Sequence, residues 1–424
     1  MRYTCKCMGL STHAVVEGSA LTSSNEGLKP YSRVVAVSLC GMFAFLNMYC
    51  TQPLLPLLAK VFRASEARVS LTISASTFGV AIAAGLLAMF GERVNRKRMI
   101  VIAMIAMGIV TMVTATSPSL EVLIVWRFIQ GLLTPGVFII TIAYVTEEWP
   151  AILVPRVMSW YVAGTVFGGF SGRVTGGMLA ESFGWRPMFI ILGIAGLGGA
   201  WLAQRLLRPS TPRLSSSDAG ASAISMLAPM RANLRNPRLL ATFGVGFCML
   251  FTLVSLFSYI TFHLSVAPFY LSTAALSWLF AVYLVGLLST LGVGTVLARI
   301  GLLRGLLGAI TLCIGGTLLT LAPSLVAVGI GLSLASSGVF IAQTCANSFL
   351  RDAAPAGSRV SAAGLYICCY YIGGTVGGVL PGLTWKQAGW PGCVAMTCGF
   401  LMTAANLAFW GWRRKVSALD PIRV

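Results

Sequence analysis

Charged residues, and acidic residues above all, are scarce in this sequence. Of its 424 residues only 10% are charged, with 11 Asp and Glu against 30 Lys and Arg, while 57% are hydrophobic. An ordinary soluble domain of this length does not have so apolar a composition, because its surface must face water. The sequence therefore predicts a polytopic membrane protein.

Other absences argue against whole functional classes. The phosphate-binding pattern G-x-x-x-x-G-K-[ST] is missing, and no nucleophile, base and acid come together within the apolar segments, so neither a nucleotide-driven pump nor an enzyme is expected. The 11 cysteines lie mostly in apolar runs without metal-ligand spacing, so we expect no metal and no cofactor. The net charge of +19 does not indicate nucleic acid, because the basic residues are spread over the connections between apolar segments.

No carboxylate stands in the middle of an apolar segment, although two arginines do. The acidic residues nearest to a segment interior are Glu121 and Glu181, both near the predicted outer face. Arg127 and Arg173 lie near the predicted middle of the membrane, where an arginine is costly unless it faces a partner or a water-filled cavity. This pattern disfavours a cationic substrate and favours a neutral polar or anionic one. Either arginine could instead bond only to carbonyl groups of neighbouring helices.

Twelve apolar segments reach about 20 residues, the length that crosses a bilayer as a helix. They are predicted near residues 33–58, 68–91, 99–117, 119–146, 152–181, 187–207, 238–263, 271–298, 304–322, 323–350, 358–385 and 391–412. A polar linker at 208–237 separates an N-terminal bundle (33–207) from a C-terminal bundle (238–412). Most Lys and Arg lie in connections on the same side of the membrane as this linker. The linker and the tails 1–32 and 413–424 are therefore predicted to be cytoplasmic.

A glycine-rich stretch occurs twice, as YVAGTVFGGFSGRVTGGMLAESFGW at 161–185 and YICCYYIGGTVGGVLPGLTWKQAGW at 366–390, with an offset of 205 residues. This repeat indicates two homologous halves. Glycines spaced for close helix packing lie within it at Gly164, Gly168, Gly172, Gly176, Gly373 and Gly377. Arg173 has no charged counterpart, because Gly378 takes the equivalent position.

A short basic turn with one acidic residue joins the second and third segments. It contains Glu92, Arg93, Arg96 and Lys97, and Arg299 stands at the place in the second half that corresponds to Arg93. One interpretation is a topology signal that keeps this turn cytoplasmic. The other is a cytoplasmic latch, in which Glu92 and the arginines pair across the two halves while the inner side is closed.

Two repeats of six segments, with this turn and an R-x-x-Q-G motif in the fourth segment, resemble the major facilitator superfamily. Arg127 and Gln130 belong to that motif, which occupies residues 127–131. The turn is similar to the family signature G-x-x-x-D-R-x-G-R-K, but Ala88, Glu92 and Asn95 replace its first Gly, its Asp and its second Gly. The likeness covers nearly the whole chain.

The resemblance implies an all-α integral membrane fold with twelve transmembrane helices in two six-helix pseudo-symmetric bundles. It implies a part in proton coupling for Arg127, and it extends the latch role to the basic turn. Residues 49–53 and 168–173 further resemble a bacterial inner-membrane branch that is described as sugar or drug efflux permeases. A multi-pass protein of the bacterial inner (cytoplasmic) membrane is therefore expected.

Polar residues inside the segments are further candidates for substrate contact or coupling. Asn47 and Gln52 precede two prolines that interrupt the first helix, a feature of transporter gates, although the kink could serve packing alone. Gln343 and Asn347 share one helix face and could bind substrate or bond across helices. Tyr161 and Tyr366 are equivalent in the repeat, but aromatic residues near helix ends are more often packing or interface residues.

Together these features predict a secondary transporter that works by alternating access, with a central site built from segments 1, 4, 5, 7, 10 and 11. The expected activity is efflux of a small neutral or anionic solute, sugar-like or drug-like, coupled to the proton gradient. The expected partners are that substrate and the lipid bilayer, the chain acting as a monomer. An importer or facilitator of an organic anion or sugar is one alternative, and a non-transporting sensor or scaffold is the alternative from another class.

Overall fold

The structure, a computed structural model, describes residues 28–90, 95–209, 230–355 and 358–413, and these parts contain helices and no strand. The helices of the first half are α1 (Leu28–Tyr49), α2 (Leu55–Phe62), α3 (Glu66–Phe90), α4 (Arg96–Thr114), α5 (Leu120–Glu148), α6 (Val154–Phe183) and α7 (Trp185–Leu206). Those of the second half are α8 (Pro237–Leu264), α9 (Thr273–Trp278), α10 (Val282–Ser289), α11 (Val293–Ile300), α12 (Leu302–Leu319), α13 (Leu325–Ala353), α14 (Arg359–Val379) and α15 (Pro381–Arg413), which is kinked at Gly389.

The predicted fold class is confirmed: the helices form two six-helix bundles related by pseudo-symmetry. In the described part of the chain, ten helices are long and apolar enough to cross a membrane, and the bent series from Thr273 to Ile300 supplies an eleventh span. The twelfth span is α6, which has 30 residues. Its glycines and Arg173 lower the hydropathy of α6, although its length suffices to cross a membrane.

Two of the predicted segments are broken. In the first, α1 ends at Tyr49 and a 3₁₀ turn leads into α2, because Pro53 and Pro56 have no N–H for the helix ladder. The expectation of one helix over 271–298 is wrong. That segment consists of α9, a 3₁₀ turn, α10 and α11, with a bend of 54° before α11. Gly292 adopts the left-handed conformation (φ 79°) at this bend, which glycine adopts without steric cost.

Glycines set the distance between the helices that flank the centre of each bundle. A Cβ atom added to any of four α6 glycines would overlap the backbone of α1 or of Cys50, which follows it. The pairs are Gly164 with Ser38, Gly168 with Met42, Gly172 with Leu46 and Gly176 with Cys50. Gly373 and Gly377 of α14 meet the α8 backbone in the same way, at Phe247 and Phe251. The two bundles therefore use the same close packing at equivalent places.

Helices α3 and α14 join the two bundles along one side. The Ser74 hydroxyl donates a hydrogen bond to the Thr375 carbonyl oxygen at 2.8 Å, and the hydroxyls of Thr77 and Thr375 lie 3.1 Å apart. A Cβ added to Gly378 of α14 would overlap the Ser74 hydroxyl, so a side chain there would disturb this contact. This side of the interface is closely packed.

On the other side, α6 meets the second bundle near the connection between α6 and α7. Gly177 packs against Ser277 of α9, and the Glu181 carboxylate accepts a hydrogen bond from the Ala274 N–H at the start of α9. This contact closes one end of the interface. A space remains between the bundles on the other side of that contact.

Candidate functional site

A cavity of about 430 Å³ occupies this space. Its walls come from α1, the following 3₁₀ turn, α5 and α6 of the first bundle, and from α8, α10, α13 and α14 of the second. Tyr283 lies on α10, in the eighth span, which is not among the six spans that the sequence predicts for the site. Near the α6–α9 contact the cavity ends at Gln52 and Arg173. At its other end it extends to Ile142 and Leu350, which lie close to the last residues of α5 and α13.

Arg173 lies in the first-bundle wall of the cavity with 4% of its surface exposed. Its Nε donates a hydrogen bond to Gln52 Oε1 at 2.8 Å, and its Nη1 donates one to the Gly169 carbonyl oxygen at 2.6 Å. The guanidinium carbon lies 4.1 Å from the ring centre of Tyr49 and 4.6 Å from that of Tyr283, so two aromatic rings help to stabilise the charge. Nη2 has no hydrogen-bond partner among the described residues, which leaves it available to a ligand.

Gln52 links Arg173 to the opposite bundle. It is 1% exposed and sits in the 3₁₀ turn that follows α1. While its side-chain oxygen accepts from Arg173, its Nε2 donates to Ser258 Oγ of α8 at 3.1 Å. Separation of the bundles at this end would have to break the bond between Gln52 and Ser258. Gln52 therefore lies both in the cavity wall and in the closed end.

Amide side chains form part of the second-bundle wall. Gln343 and Asn347, one turn apart on α13, both line the cavity. The Tyr370 hydroxyl donates to Gln343 Oε1 at 3.2 Å. The Gln343 amide nitrogen and the Asn347 side chain have no hydrogen-bond partner in the described part of the chain, so their donors can serve a ligand.

The two tyrosines of the repeat also line the cavity, with different hydrogen bonding. The Tyr161 hydroxyl donates to the Phe138 carbonyl oxygen at 2.8 Å. The Tyr366 hydroxyl is buried and has no partner within the described ranges. Equivalent positions in the two bundles therefore do not have equivalent chemistry.

Arg127 lies outside the cavity, fully buried within the first bundle. Its Nη1 donates to the Asn47 carbonyl oxygen at 2.8 Å and to Gln130 Oε1 at 2.6 Å, and its Nη2 donates to the Met48 carbonyl oxygen. Gln130 Nε2 then bonds to Thr111, whose hydroxyl bonds to Asn47 Oδ1 at 2.8 Å. Three predicted substrate-or-coupling residues, Arg127, Gln130 and Asn47, thus form one network apart from the cavity.

The break after α1 explains the position of Arg127. A helix that ends at Tyr49 leaves its last carbonyl groups without intrahelical partners, and these carbonyls carry partial negative charge. Arg127 bonds to two of them, at Asn47 and Met48, and also reaches the Thr72 carbonyl oxygen of α3 at 3.4 Å. It stabilises the broken end of α1, which carries Tyr49 and leads to Gln52. Its part in proton coupling stays a prediction.

The described residues include only part of the predicted cytoplasmic latch. Glu92 and Arg93 lie outside the described residues, so their pairing stays a prediction. Arg96 forms an ion pair with Glu147 of α5, with Nη2 3.0 Å from Oε1, which lies within the first bundle rather than across the two halves. Lys97 is partly buried and Arg299 is exposed.

Most of the aromatic residues in the cavity wall were not predicted from the sequence. Tyr49 and Tyr283 flank Arg173 with Phe280, but they come from different bundles and no sequence spacing connects them. Tyr370 had a detectable signal, since it follows Tyr366 by one helical turn in the second copy of the repeat. Ten of the 25 residues that line the cavity are Phe or Tyr, so aromatic surface dominates its wall.

Comparisons with known proteins cover most of the chain. The family model of the Major Facilitator Superfamily matches residues 37–378. The MFS-type transporter YybF of Bacillus subtilis (strain 168) is 31% identical over 372 residues, which cover 87% of this chain and 90% of YybF. The inner membrane transport protein YnfM of Escherichia coli (strain K12) is 29% identical over 385 residues, with 89% and 90% covered.

A solved structure has a similar fold. It is the inward-facing, unoccupied form of a bacterial homologue of the human lysosomal transporter Spinster, with a TM-score of 0.76 and 17% identity, and the match covers 91% of this chain and 98% of that one. The family match reaches from α1 to α14 and so includes both walls of the cavity. The chain belongs to the major facilitator superfamily and is a multi-pass membrane transporter.

Proposed function

We propose that the protein exports a small organic anion, or a neutral polar solute of sugar-like or drug-like size, by alternating access of the central cavity. The solute exchanges for protons, so the proton gradient supplies the energy and no cofactor takes part. The protein acts as a monomer in the bacterial inner membrane with both termini in the cytoplasm.

The observation that carries this proposal is the charge of Arg173 in the cavity wall. None of the described residues that line the cavity is Asp or Glu. A buried guanidinium group without a counter-charge is costly, and an anionic solute would supply that charge when it binds. A neutral polyhydroxylated solute could only accept hydrogen bonds from it. We therefore place the anion first among the substrates.

The position of the closed end supports alternating access. Gln52 and Ser258, together with Glu181 and Ala274, connect the bundles at the end near α7, and the cavity extends toward the opposite end. With cytoplasmic termini, this arrangement is the inward-open state. The outward-open state follows when α6 and the 3₁₀ turn separate from α9 and α8 and the opposite end closes.

Glu181 is our candidate for the group through which protons outside the cell act on the closed end. Its carboxylate accepts a hydrogen bond from the Ala274 N–H across the two bundles at the closed end. Protonation would remove its charge and weaken this bond, which favours separation of α6 from α9. Proton binding from the outside would then promote the outward-open state that exchange requires.

Two alternative functions would use this cavity differently. An importer or facilitator of an organic anion or sugar would use the same cavity without exchange for protons. A non-transporting sensor or scaffold would need no cavity with unpaired donors on both walls, at Arg173 and Gln343.

The test is substrate counterflow by purified protein in proteoliposomes, across a panel of organic acids, sugars and drugs. We expect counterflow of an organic anion, with accumulation when a pH gradient is imposed, and loss of both in Arg173→Gln. Arg186→Gln is the matched control, because Arg186 lies over the Trp185 ring and bonds to the Ser117 carbonyl oxygen outside the cavity. Counterflow without response to the gradient would indicate a facilitator, and absence of counterflow for every solute would indicate a sensor or scaffold.

A further inference from the structure

The repeat places different side chains at equivalent positions on the two walls of the cavity. With the offset of 205 residues, Phe138 and Ile142 of α5 correspond to Gln343 and Asn347 of α13. All four residues line the cavity. The first-bundle wall is apolar where the second-bundle wall presents two amides.

The cationic group, in contrast, lies on the first-bundle wall and has no counterpart on the second-bundle wall. Arg173 of α6 corresponds to Gly378 of α14, and its neighbour Tyr49 corresponds to Val254 of α8. At Gly378 an added Cβ would overlap the Ser74 hydroxyl of α3, so a side chain there would displace the hydroxyl that bonds to Thr375. The cavity thus has a guanidinium group on one wall and amide donors on the other.

The residues that hold these two polar groups lie at different depths along α6 and α14. Arg173 Nη1 bonds to the Gly169 carbonyl oxygen, and Gly374 is the residue of α14 that corresponds to Gly169. The Gln343 amide is held by Tyr370, which precedes Gly374 by four residues. Because the two halves of this fold are related by an axis along the membrane normal, Tyr370 and Gly169, which hold the amide and the guanidinium, differ in depth by about one helical turn, roughly 6 Å. A ligand that reaches both groups therefore spans the cavity from wall to wall.

The space between the polar groups fits one planar, apolar unit. A sphere with the volume of the cavity, 430 Å³, is about 9 Å across. Tyr and Phe side chains surround it, and aromatic faces pack well against another ring. The unpaired donors identified on opposite walls are Arg173 Nη2 and the Gln343 amide.

We infer that the cavity selects aromatic monocarboxylates that carry a hydroxyl or another hydrogen-bond acceptor at the end opposite the carboxylate. This inference rests on the proposed function and specifies its substrate class. The carboxylate accepts from Arg173 Nη2, the ring packs between the tyrosines, and the distal oxygen accepts from the Gln343 amide with Asn347 beside it.

The test measures equilibrium binding of three compounds to the purified full-length protein by titration calorimetry. They are 4-hydroxycinnamate, cinnamate without the hydroxyl, and the uncharged 4-hydroxycinnamamide. We expect the wild-type protein to bind 4-hydroxycinnamate about tenfold more tightly than either of the others. Cinnamate leaves the Gln343 amide without an acceptor, and 4-hydroxycinnamamide lacks the negative charge that faces Arg173. Gln343→Leu should abolish the preference for the hydroxyl and keep the preference for the carboxylate. Arg173→Gln should do the reverse.

Matched controls separate these effects from damage to the fold. Gln204→Leu on an exposed position of α7 and Arg186→Gln, both outside the cavity, should keep both preferences. Should Arg173→Gln fail to fold, Arg173→Lys tests the same point, since Lys keeps the charge but loses the planar fork and should reduce the preference for the carboxylate. Equal affinities of the wild-type protein for the three compounds, or equal losses for all three in both variants, would overturn the inference.

The inference and the proposed function can fail separately. Counterflow of a different solute without binding of any of the three compounds would overturn the selectivity and leave transport standing. The expected binding preferences without counterflow of any solute would overturn transport and leave the selectivity standing.

Discussion

Two tyrosines at equivalent positions have hydroxyl groups in opposite situations. Tyr161 is 2% exposed and donates to the Phe138 carbonyl oxygen, while Tyr366 is 4% exposed and its hydroxyl has no described partner. A buried hydroxyl gains about 1 kcal/mol from a hydrogen bond and costs more than that when it is left without one. The stability effect of removing each hydroxyl should therefore differ.

We expect Tyr161→Phe to lower the free energy of unfolding by about 1 kcal/mol and Tyr366→Phe to leave it unchanged or raise it slightly. Both changes remove one oxygen atom from a ring that lines the same cavity, so each variant is the control for the other. Chemical unfolding of the purified proteins in detergent measures the difference. Equal losses in the two variants would show that the Tyr366 hydroxyl has a partner after all.

The two membrane arginines also differ, in how many of their donors the protein itself occupies. Arg127 bonds to carbonyl groups at the end of α1 and to Gln130, so its charge is held by groups of the first bundle. Arg173 has two occupied nitrogens and one that is free. Both arginines lie in similarly apolar segments of the sequence. Only the direction of the side chain distinguishes Arg127, which stabilises a broken helix, from Arg173, which can meet a ligand.

At the scale of helices, the α1–α6 pair depends on the absence of side chains. The four α6 glycines meet the α1 backbone at successive turns, and the small residues let the two backbones approach closely. Since α1 leads to Gln52 and α6 carries Arg173, this packing sets the distance between the two groups that bond at the closed end of the cavity.

We expect Gly168→Leu to force α1 and α6 apart, because its side chain would overlap the backbone at Met42. The free energy of unfolding should fall by about 1–3 kcal/mol, as for other overpacked interiors, and transport should be lost although the chain still inserts into the membrane. Gly198→Leu on α7 is the control, since an added Cβ there meets no atom within 4 Å. Thermal unfolding and counterflow on the same preparations measure both effects. Wild-type behaviour of Gly168→Leu would mean that the backbones are not in contact.

At the scale of the whole molecule, the apolar runs and the repeat were enough to predict twelve spans in two bundles. The same signals could not predict the break at Gly292, because the left-handed conformation of one glycine leaves no trace in hydropathy. They also could not separate Arg127 from the cavity, since its position depends on carbonyl groups that become free only where α1 ends. Arg173 was easier to single out, because its counterpart Gly378 breaks the symmetry of the repeat.

The closed end of the cavity contains a charge whose removal should shift the whole molecule between states. The Glu181 carboxylate bonds to the Ala274 N–H at the start of α9, where the helix dipole favours negative charge. This contact joins α6 to the second bundle and exists only while the bundles touch at this end. Glu181→Gln keeps the shape but removes the charge, as protonation does, so it should raise the population that is open at this end by about two- to fivefold.

A cysteine introduced at Ser277, which is buried against Gly177 in the closed contact, reports this change through its rate of labelling by a membrane-impermeant maleimide. The labelling rate should rise by the same factor, about two- to fivefold, in Glu181→Gln. Glu121→Gln is the matched control, because Glu121 pairs with Arg68 inside the first bundle and bridges nothing across the interface, so the rate should stay unchanged. An equal rise in both variants would mean that lost negative charge at this face acts without the α6–α9 contact. An unchanged rate in Glu181→Gln would remove Glu181 from the proposed proton coupling.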